Sequence, residues 1–216
     1  MDRKIATKVY QTLDAMYPEA STHHRAGAPP FESLIATILS AQTTDKSVDV
    51  VIGPLFARYP TPEALAEARV EEVEPIIHRT GFFHMKARRI IEASAMLVRD
   101  YDGHVPDTME LLLRIPGVGR KTANIVLYHS FGKRVGVAVD THVLRLSQLI
   151  GFSSNIDAAG VEQDLMVLFP KEEWGKLTDL MISHGREICI ARRPKCPVCP
   201  IKQLCHYNND FSSKRV

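Results

Sequence analysis

Cysteine is missing from the first 188 residues of this 216-residue chain, and all four cysteines fall between positions 189 and 205. A disulfide framework spread over the fold is therefore excluded. No apolar run approaches the ~20 residues needed to span a bilayer, and Met1-Asp2-Arg3-Lys4 opens without the apolar stretch of a signal peptide. The expectation is a cytoplasmic protein with no membrane partner. Charge of one sign is also scarce. The 27 Lys and Arg residues face 25 Asp and Glu residues, a formal +2, so any contact with nucleic acid has to come from a local patch. Period-two alternation of apolar residues is nearly absent, and there is neither a repeat nor a low-complexity segment.

What is present is enough apolar residue, 45% of the chain, to bury a core as one large domain or two small lobes. Helix signals run throughout, and the class they imply is all-α. Residues 31–41 (FESLIATILSA) carry apolar positions three and four apart. Thr61-Pro62-Glu63 combines a cap residue, a proline suited to a first turn and an acid near the positive end. Asp107-Thr108-Met109-Glu110 has capping-box spacing with Asp107 as the cap. Gly53, Gly81, Gly103, Gly132, Gly151 and Gly160 are expected turns. Val135, Val137 and Val139 alternate over a piece short enough to be a linker.

The cysteines are spaced Cys189-x6-Cys196-x2-Cys199-x5-Cys205. Thiols crowded in a reducing cytosol favour a metal over disulfides. Structural zinc commonly takes two tight pairs, and here there is one, so the spacing leans toward an iron-sulfur cluster while leaving zinc open. The surrounding segment, with Pro194, Pro197 and Pro200 and few apolar residues, would depend on the metal to fold. It is also basic: Arg186, Arg192, Arg193, Lys195, Lys202, Lys214 and Arg215 outnumber Glu187 and Asp210. That excess is either a phosphate-binding patch or a solvated tail.

The stretch Leu112-Leu113-Arg114-Ile115-Pro116-Gly117-Val118-Gly119-Arg120-Lys121-Thr122-Ala123 places two glycines between two helical patterns. Pro116 is expected to end the first helix, and Gly117 and Gly119 to turn the backbone. The free N–H groups opening the second helix would then accept a phosphate without reading sequence. This is the pattern of a helix-hairpin-helix, as opposed to a plain tight turn.

Lys121 falls in the first turn of that second helix, opposite Ala123, Val126, Leu127 and Phe131 and beside Asn124 and Tyr128. A surface lysine ordinarily serves solubility. As an amine nucleophile it would have to be uncharged, whereas an unperturbed lysine with a pKa of about 10.4 is only about 0.04% neutral at pH 7. The helix amino terminus and Arg120 are the features that would oppose its charge. Asp140 comes nineteen residues later, where a helix through Val143, Leu146 and Ile150 begins. It is read as an N-cap, and a capping carboxylate can also steady positive charge developing on a sugar. One carboxylate matched with one amine differs from the carboxylate pair of ordinary glycoside hydrolysis.

With these residues in place the chain resembles the endonuclease III family, bifunctional pyrimidine-specific helix-hairpin-helix DNA glycosylases. The likeness runs from Leu39-Ser40-Ala41-Gln42-Thr43-Thr44-Asp45 through the hairpin and Val139-Asp140-Thr141-His142 to the cysteine tail. It implies a 4Fe-4S cluster on the four cysteines. It also implies a six-helix barrel over residues 24–133, with the hairpin at about 108–131, and a cluster lobe made of 1–23 with 134–216. Lys121 corresponds to the family's nucleophile and Asp140 to its essential aspartate. Gln42 corresponds to the glutamine that fills the gap left by a flipped base. Double-stranded DNA carrying damaged pyrimidines or abasic sites is the implied partner of a monomer. Gly117, Val118, Gly119, His142, Arg145, Arg192 and Arg193 are further candidate DNA contacts. The family's wedge is often a leucine in Gly-Leu-Tyr, and here the sequence reads Gly81-Phe82-Phe83. Phe82 can wedge and stack, or either phenylalanine can be core. Two other functions carry some of the same features: a monofunctional adenine glycosylase of the same superfamily, and a non-enzymatic DNA-binding module with structural zinc.

Overall fold

A computed structural model of the chain describes residues 1–21 and 27–213, with side chains described as far as residue 209. In chain order the helices are α1 (Arg3–Met16), α2 (Pro30–Leu39), α3 (Asp45–Arg58), α4 (Pro62–Ala66), α5 (Val70–Ile77), α6 (Phe83–Tyr101), α7 (Met109–Leu112), α8 (Arg120–Phe131), α9 (Thr141–Ile150), α10 (Ala158–Leu168), α11 (Trp174–Glu187) and α12 (His206–Ser213). Short 3-10 turns lie at His78–Thr80, Lys171–Glu173 and Cys196–Val198. No strand occurs among the described residues, which bears out the all-α expectation, and Val135, Val137 and Val139 lie in the linker between α8 and α9. Among those residues no helix is long and apolar enough to cross a membrane.

The helices start where side chains can accept the first free N–H groups. Asp2 accepts from Lys4 N, Thr61 from Ala64 N, Asp140 from Val143 N and Asp157 from Gly160 N, at 2.8 to 3.2 Å. Each such cap contributes about 1 kcal/mol. At α7 the cap is Thr108, whose hydroxyl accepts from Leu111 N at 3.4 Å. Asp107 was the expected cap, but its carboxylate is held instead by Lys133 Nζ at 2.5 Å. Two of the expected glycine turns are also helical: Gly53 lies inside α3 and Gly160 is the third residue of α10. Gly132 and Gly151 do end helices, α8 and α9, in the left-handed conformation at φ 65° and 96°.

The chain divides into two compact units, residues 23–135 and residues 1–22 with 136–216. They are called here the central and terminal units, after their order in the sequence. The lobe boundary expected at residues 23–24, and the basic residues Lys214 and Arg215, lie outside the described residues.

In the central unit α2 is buried at every position from Phe31 to Leu39 except Glu32, as befits a helix surrounded by others. Helix α6 buries Ala87, Ile90, Ser94 and Leu97, one face at three- and four-residue spacing. Helix α8 adds Ala123, Val126 and Leu127 to the same core. Truncating Leu97, which has no exposed surface, to alanine removes about 2 to 5 kcal/mol from a core of this kind. In the terminal unit Ala6, Val9 and Leu13 of α1 join Val143, Leu146 and Ile150 of α9 and Leu177, Leu180 and Met181 of α11. The amino-terminal helix is thus part of the core built by the last third of the chain.

Candidate functional site

The hairpin before α8 is tighter on one side than its sequence suggests. Helix α7 is a single turn that ends at Leu112, so Pro116 follows the helix at a distance and does not terminate it. The turn itself needs Gly117, at φ +83°. A Cβ there would lie 3.3 Å from Ile38 Cγ2 and 3.4 Å from Arg89 Cδ. Gly119 differs. Its φ of −98° and ψ of 177° suit any residue, and a Cβ built on it would meet nothing within 4 Å. What its missing side chain provides is an open backbone. Val118 is buried in the core, and its N–H bonds Ile115 O at 3.1 Å. No side chain caps α8. Lys121, second in the helix, is exposed. Asn124, expected to share its surface, is instead 4% exposed, while Tyr128, further along the same face, is partly exposed.

Asp140 is held by what precedes it. Val137 and Val139 are both buried, and the carbonyl between them, Ala138 O, accepts from Thr178 Oγ1 at 3.1 Å. The extended linker therefore delivers Asp140 to the start of α9. There its Oδ1 accepts from Val143 N at 2.8 Å, and the residue stays partly exposed. His142 packs against α11 because position 185 is glycine: a Cβ there would come within 2.7 Å of the ring Nδ1. That Nδ1 is buried with no hydrogen-bond partner among the described residues. Arg145 does something its sequence position did not suggest. It donates from Nη2 to Cys189 O at 2.7 Å, and Nη1 lies 3.7 Å from Cys189 Sγ.

Gln42 and Phe82 share an unusual backbone. They are two of the three non-glycine residues with positive φ among the described residues, at 51° and 49°. Both side chains are exposed, Phe82 at 63%. Phe83 packs on the central core and lies against His84 with ring centroids 4.0 Å apart and the planes tilted by 37°. Beneath the two turns lies Lys86, 2% exposed, which sequence reading missed because an isolated lysine in a helix reads as surface. Its Nζ donates to Thr43 Oγ1 and to Thr80 O, each at 2.6 Å, and the Thr43 hydroxyl also donates to Thr80 O. Burial pulls the Lys86 pKa down to about 8.

All four cysteines line one cavity of about 270 Å³ in the terminal unit, together with Arg145 and His184. Their thiols are free. The side chains are not gathered as for a single ion: among the described residues no three His, Cys, Asp or Glu groups stand close enough to hold one. Burial pushes the Cys189, Cys199 and Cys205 thiols up, with the Arg145 guanidinium opposing this at Cys189. A bound cation of high charge would reverse that tendency. His184, also absent from the sequence reading, lies between Tyr17 OH at 3.4 Å from Nδ1 and Cys199 Sγ at 3.6 Å from Nε2. Burial first and Arg145 second hold its pKa down at about 4, so the ring is neutral. Arg192 and Arg193 are exposed on the same loop.

Residues 35–171 match the model of the HhH-GPD superfamily of base excision DNA repair proteins. An endonuclease III of Synechocystis sp. is 47% identical over 200 residues, covering 93% of this chain and 91% of that protein. An endonuclease III of Thermotoga maritima is 42% identical over 178 residues, 82% of this chain and 83% of its own. Among solved structures, a trapped covalent intermediate of endonuclease III with DNA superposes with a TM-score of 0.91 at 39% identity, covering 98% of this chain and 99% of that one. The chain belongs to the endonuclease III family within the HhH-GPD superfamily of base excision DNA repair proteins.

Proposed function

We propose that this chain is a bifunctional DNA glycosylase and abasic-site lyase of base excision repair, acting on oxidised or saturated pyrimidines in double-stranded DNA. The observation that carries the reading is an exposed lysine in the first turn of an uncapped helix, directly after a glycine hairpin, in a chain of this family. The turn made by Gly117, the open backbone at Gly119 and the free start of α8 receive phosphate oxygens, with Val118 anchoring the turn in the core. Arg192 and Arg193 meet phosphates from the cysteine loop. Gln42 fills the space of the extruded nucleotide, and Phe82 wedges between neighbouring bases.

In the chemical step the lone pair of Lys121 Nζ attacks the deoxyribose C1′. The bond from C1′ to the base breaks, and the base leaves with the electron pair and takes up a proton. The Asp140 carboxylate steadies the positive charge that builds on the sugar. Opening of the ring at O4′ leaves an iminium between C1′ and Nζ. Loss of a C2′ proton then sends electrons toward C3′ and expels the 3′ phosphate. Water releases the unsaturated aldehyde and regenerates the amine, and the other fragment keeps a 5′ phosphate.

Cys189, Cys196, Cys199 and Cys205 are assigned to a 4Fe-4S cluster. Four thiols lining one cavity are the donor set such a cluster takes. When bound, the cluster supplies a rigid anchor for the loop that presents Arg192 and Arg193, and Arg145 and His184 orient two of its ligands from outside.

The test is borohydride reduction of the protein mixed with abasic duplex, which traps an amine on the sugar as a covalent adduct. The wild-type chain is expected to be trapped and the Lys121→Ala chain not. A Lys121→Ala protein that still nicked abasic DNA would end the proposal. Iron and sulfide analysis of the purified protein, expected at about four of each per chain, tests the cluster separately.

A further inference from the structure

Gln42 and Phe82 both hold left-handed backbone, a conformation that costs a residue with a Cβ about 1 to 2 kcal/mol. Such strain persists only where the surroundings over-determine it. Here the surroundings are few, with Lys86 and Thr80 buried and Thr43 partly so. The residue next to Gln42 is Thr43, whose hydroxyl accepts from Lys86 Nζ and donates to Thr80 O. Thr80, two positions before Phe82, gives its carbonyl to the same ammonium, while its own hydroxyl is tied to Ile77 O at 2.8 Å. One ammonium therefore joins the backbone on one side of the Phe82 turn to the side chain beside Gln42.

The arrangement is costly for stability alone. Among the described residues both partners of the ammonium are uncharged oxygens, and taking such a charge out of water without a counter-charge is unfavourable. A methionine would fill much the same volume without that penalty. What the ammonium adds is geometry, because it can bind two turns that come from different parts of the sequence.

We propose that Lys86 is a positioning residue for entry into the duplex: it locks the turn carrying Gln42 to the turn carrying Phe82, so that the two side chains are inserted as one rigid pair. The proposal rests on the reading of Gln42 and Phe82 as insertion residues given above. Lys86 touches neither base nor sugar. Its effect is on duplex DNA, where a stack has to be parted and a gap filled, and not on a single strand, where neither is needed.

The experiment uses the cluster-containing Lys86→Met and Thr43→Val proteins, assayed on a duplex bearing an oxidised pyrimidine and on a single strand bearing an abasic site. Either variant is expected to lose about tenfold in kcat/KM on the duplex, chiefly in kcat, and to stay within about threefold on the single strand. In a Phe82→Ala background, Lys86→Met should add less than about twofold, because the pair is already broken. Equal losses on both substrates, or full multiplication of the two effects, would overturn the proposal as mere loss of structure. Should Lys86→Met fail to fold, Thr43→Val, which keeps the lysine and the side-chain volume, decides alone. If Gln42→Ala and Phe82→Ala both leave the duplex reaction intact, the insertion reading falls and the proposal falls with it, an outcome distinct from a failure confined to Lys86.

Discussion

Helices α8 and α9 begin in opposite ways. Helix α8 opens on Gly119 with no side chain at its first N–H groups, while α9 is closed by the Asp140 carboxylate at 2.8 Å from Val143 N. Each start carries the same partial positive charge, equivalent to roughly half an elementary charge. At α9 the protein answers that charge with its own acid. At α8 it leaves the charge unanswered and puts Arg120 and Lys121 beside it. An open helix start flanked by cations is arranged for an anion from outside, and a capped one holds a carboxylate still. The first suits a phosphate; the second suits an acid whose place must not vary.

The largest expected effect breaks the comparison at the open end. Lys121 is exposed, so Lys121→Ala should leave stability within about 0.5 kcal/mol of wild type. Loss of the nucleophile should nevertheless lower strand scission by on the order of a thousandfold or more. Gel analysis of nicked abasic duplex checks the second expectation, and chemical denaturation the first. Retained scission with normal stability would mean that the open start serves binding alone.

At the closed end cap and charge can be separated. Asp140→Asn keeps a side-chain oxygen for Val143 N and should cost only a few tenths of a kcal/mol. It removes the negative charge that would face the sugar, and base release should fall by about a hundredfold. Asp140→Ala removes both and should add about 1 kcal/mol of instability to a similar loss of rate. Single-turnover base release, measured beside thermal unfolding of the two variants, separates the contributions. If Asp140→Asn released base at the wild-type rate, Asp140 would be a cap and nothing more.

Much of the contrast is legible in the sequence because caps and hairpins are local. Gly117-Val118-Gly119 and Val139-Asp140-Thr141 each announce a helix start within a few residues, and Thr61-Pro62 does the same for α4. The misreadings arise where a distant group decides. Asp107 and Thr108 can each cap α7, and Lys133, 26 residues beyond Asp107, draws the carboxylate away. Gly53 and Gly160 sit in helices although glycine is a poor helix former, and at Gly160 a Cβ would come within 2.7 Å of the Asn155 side chain, which lies outside the helix. Lys86 is invisible because one of its partners, Thr43, lies 43 residues earlier. The second layer around the cysteines was missed for the same reason: Arg145 reaches Cys189 across 44 residues.

The smallest expected effect sharpens the comparison by converting one start into the other. Gly119 has extended backbone like that of Asp140, and its Cβ would enter empty space. Gly119→Asp can therefore place a carboxylate over the first N–H groups of α8 as Asp140 does for α9. Helix α8 should gain about 0.5 to 1 kcal/mol from the new cap. The same carboxylate would occupy the phosphate's place and repel it, and affinity for undamaged duplex should drop by about tenfold or more, as when a hydrogen bond to a charged group is lost. Gly119→Ala is the control. The alanine is a poorer cap than glycine, yet it reduces the freedom of the unfolded chain by a similar amount, so stability should stay within about 0.5 kcal/mol. Fluorescence anisotropy at two salt concentrations reads the binding. If Gly119→Asp were more stable and bound DNA as well as wild type, the open start of α8 would not be a phosphate site, and the asymmetry between the two helices would need another cause.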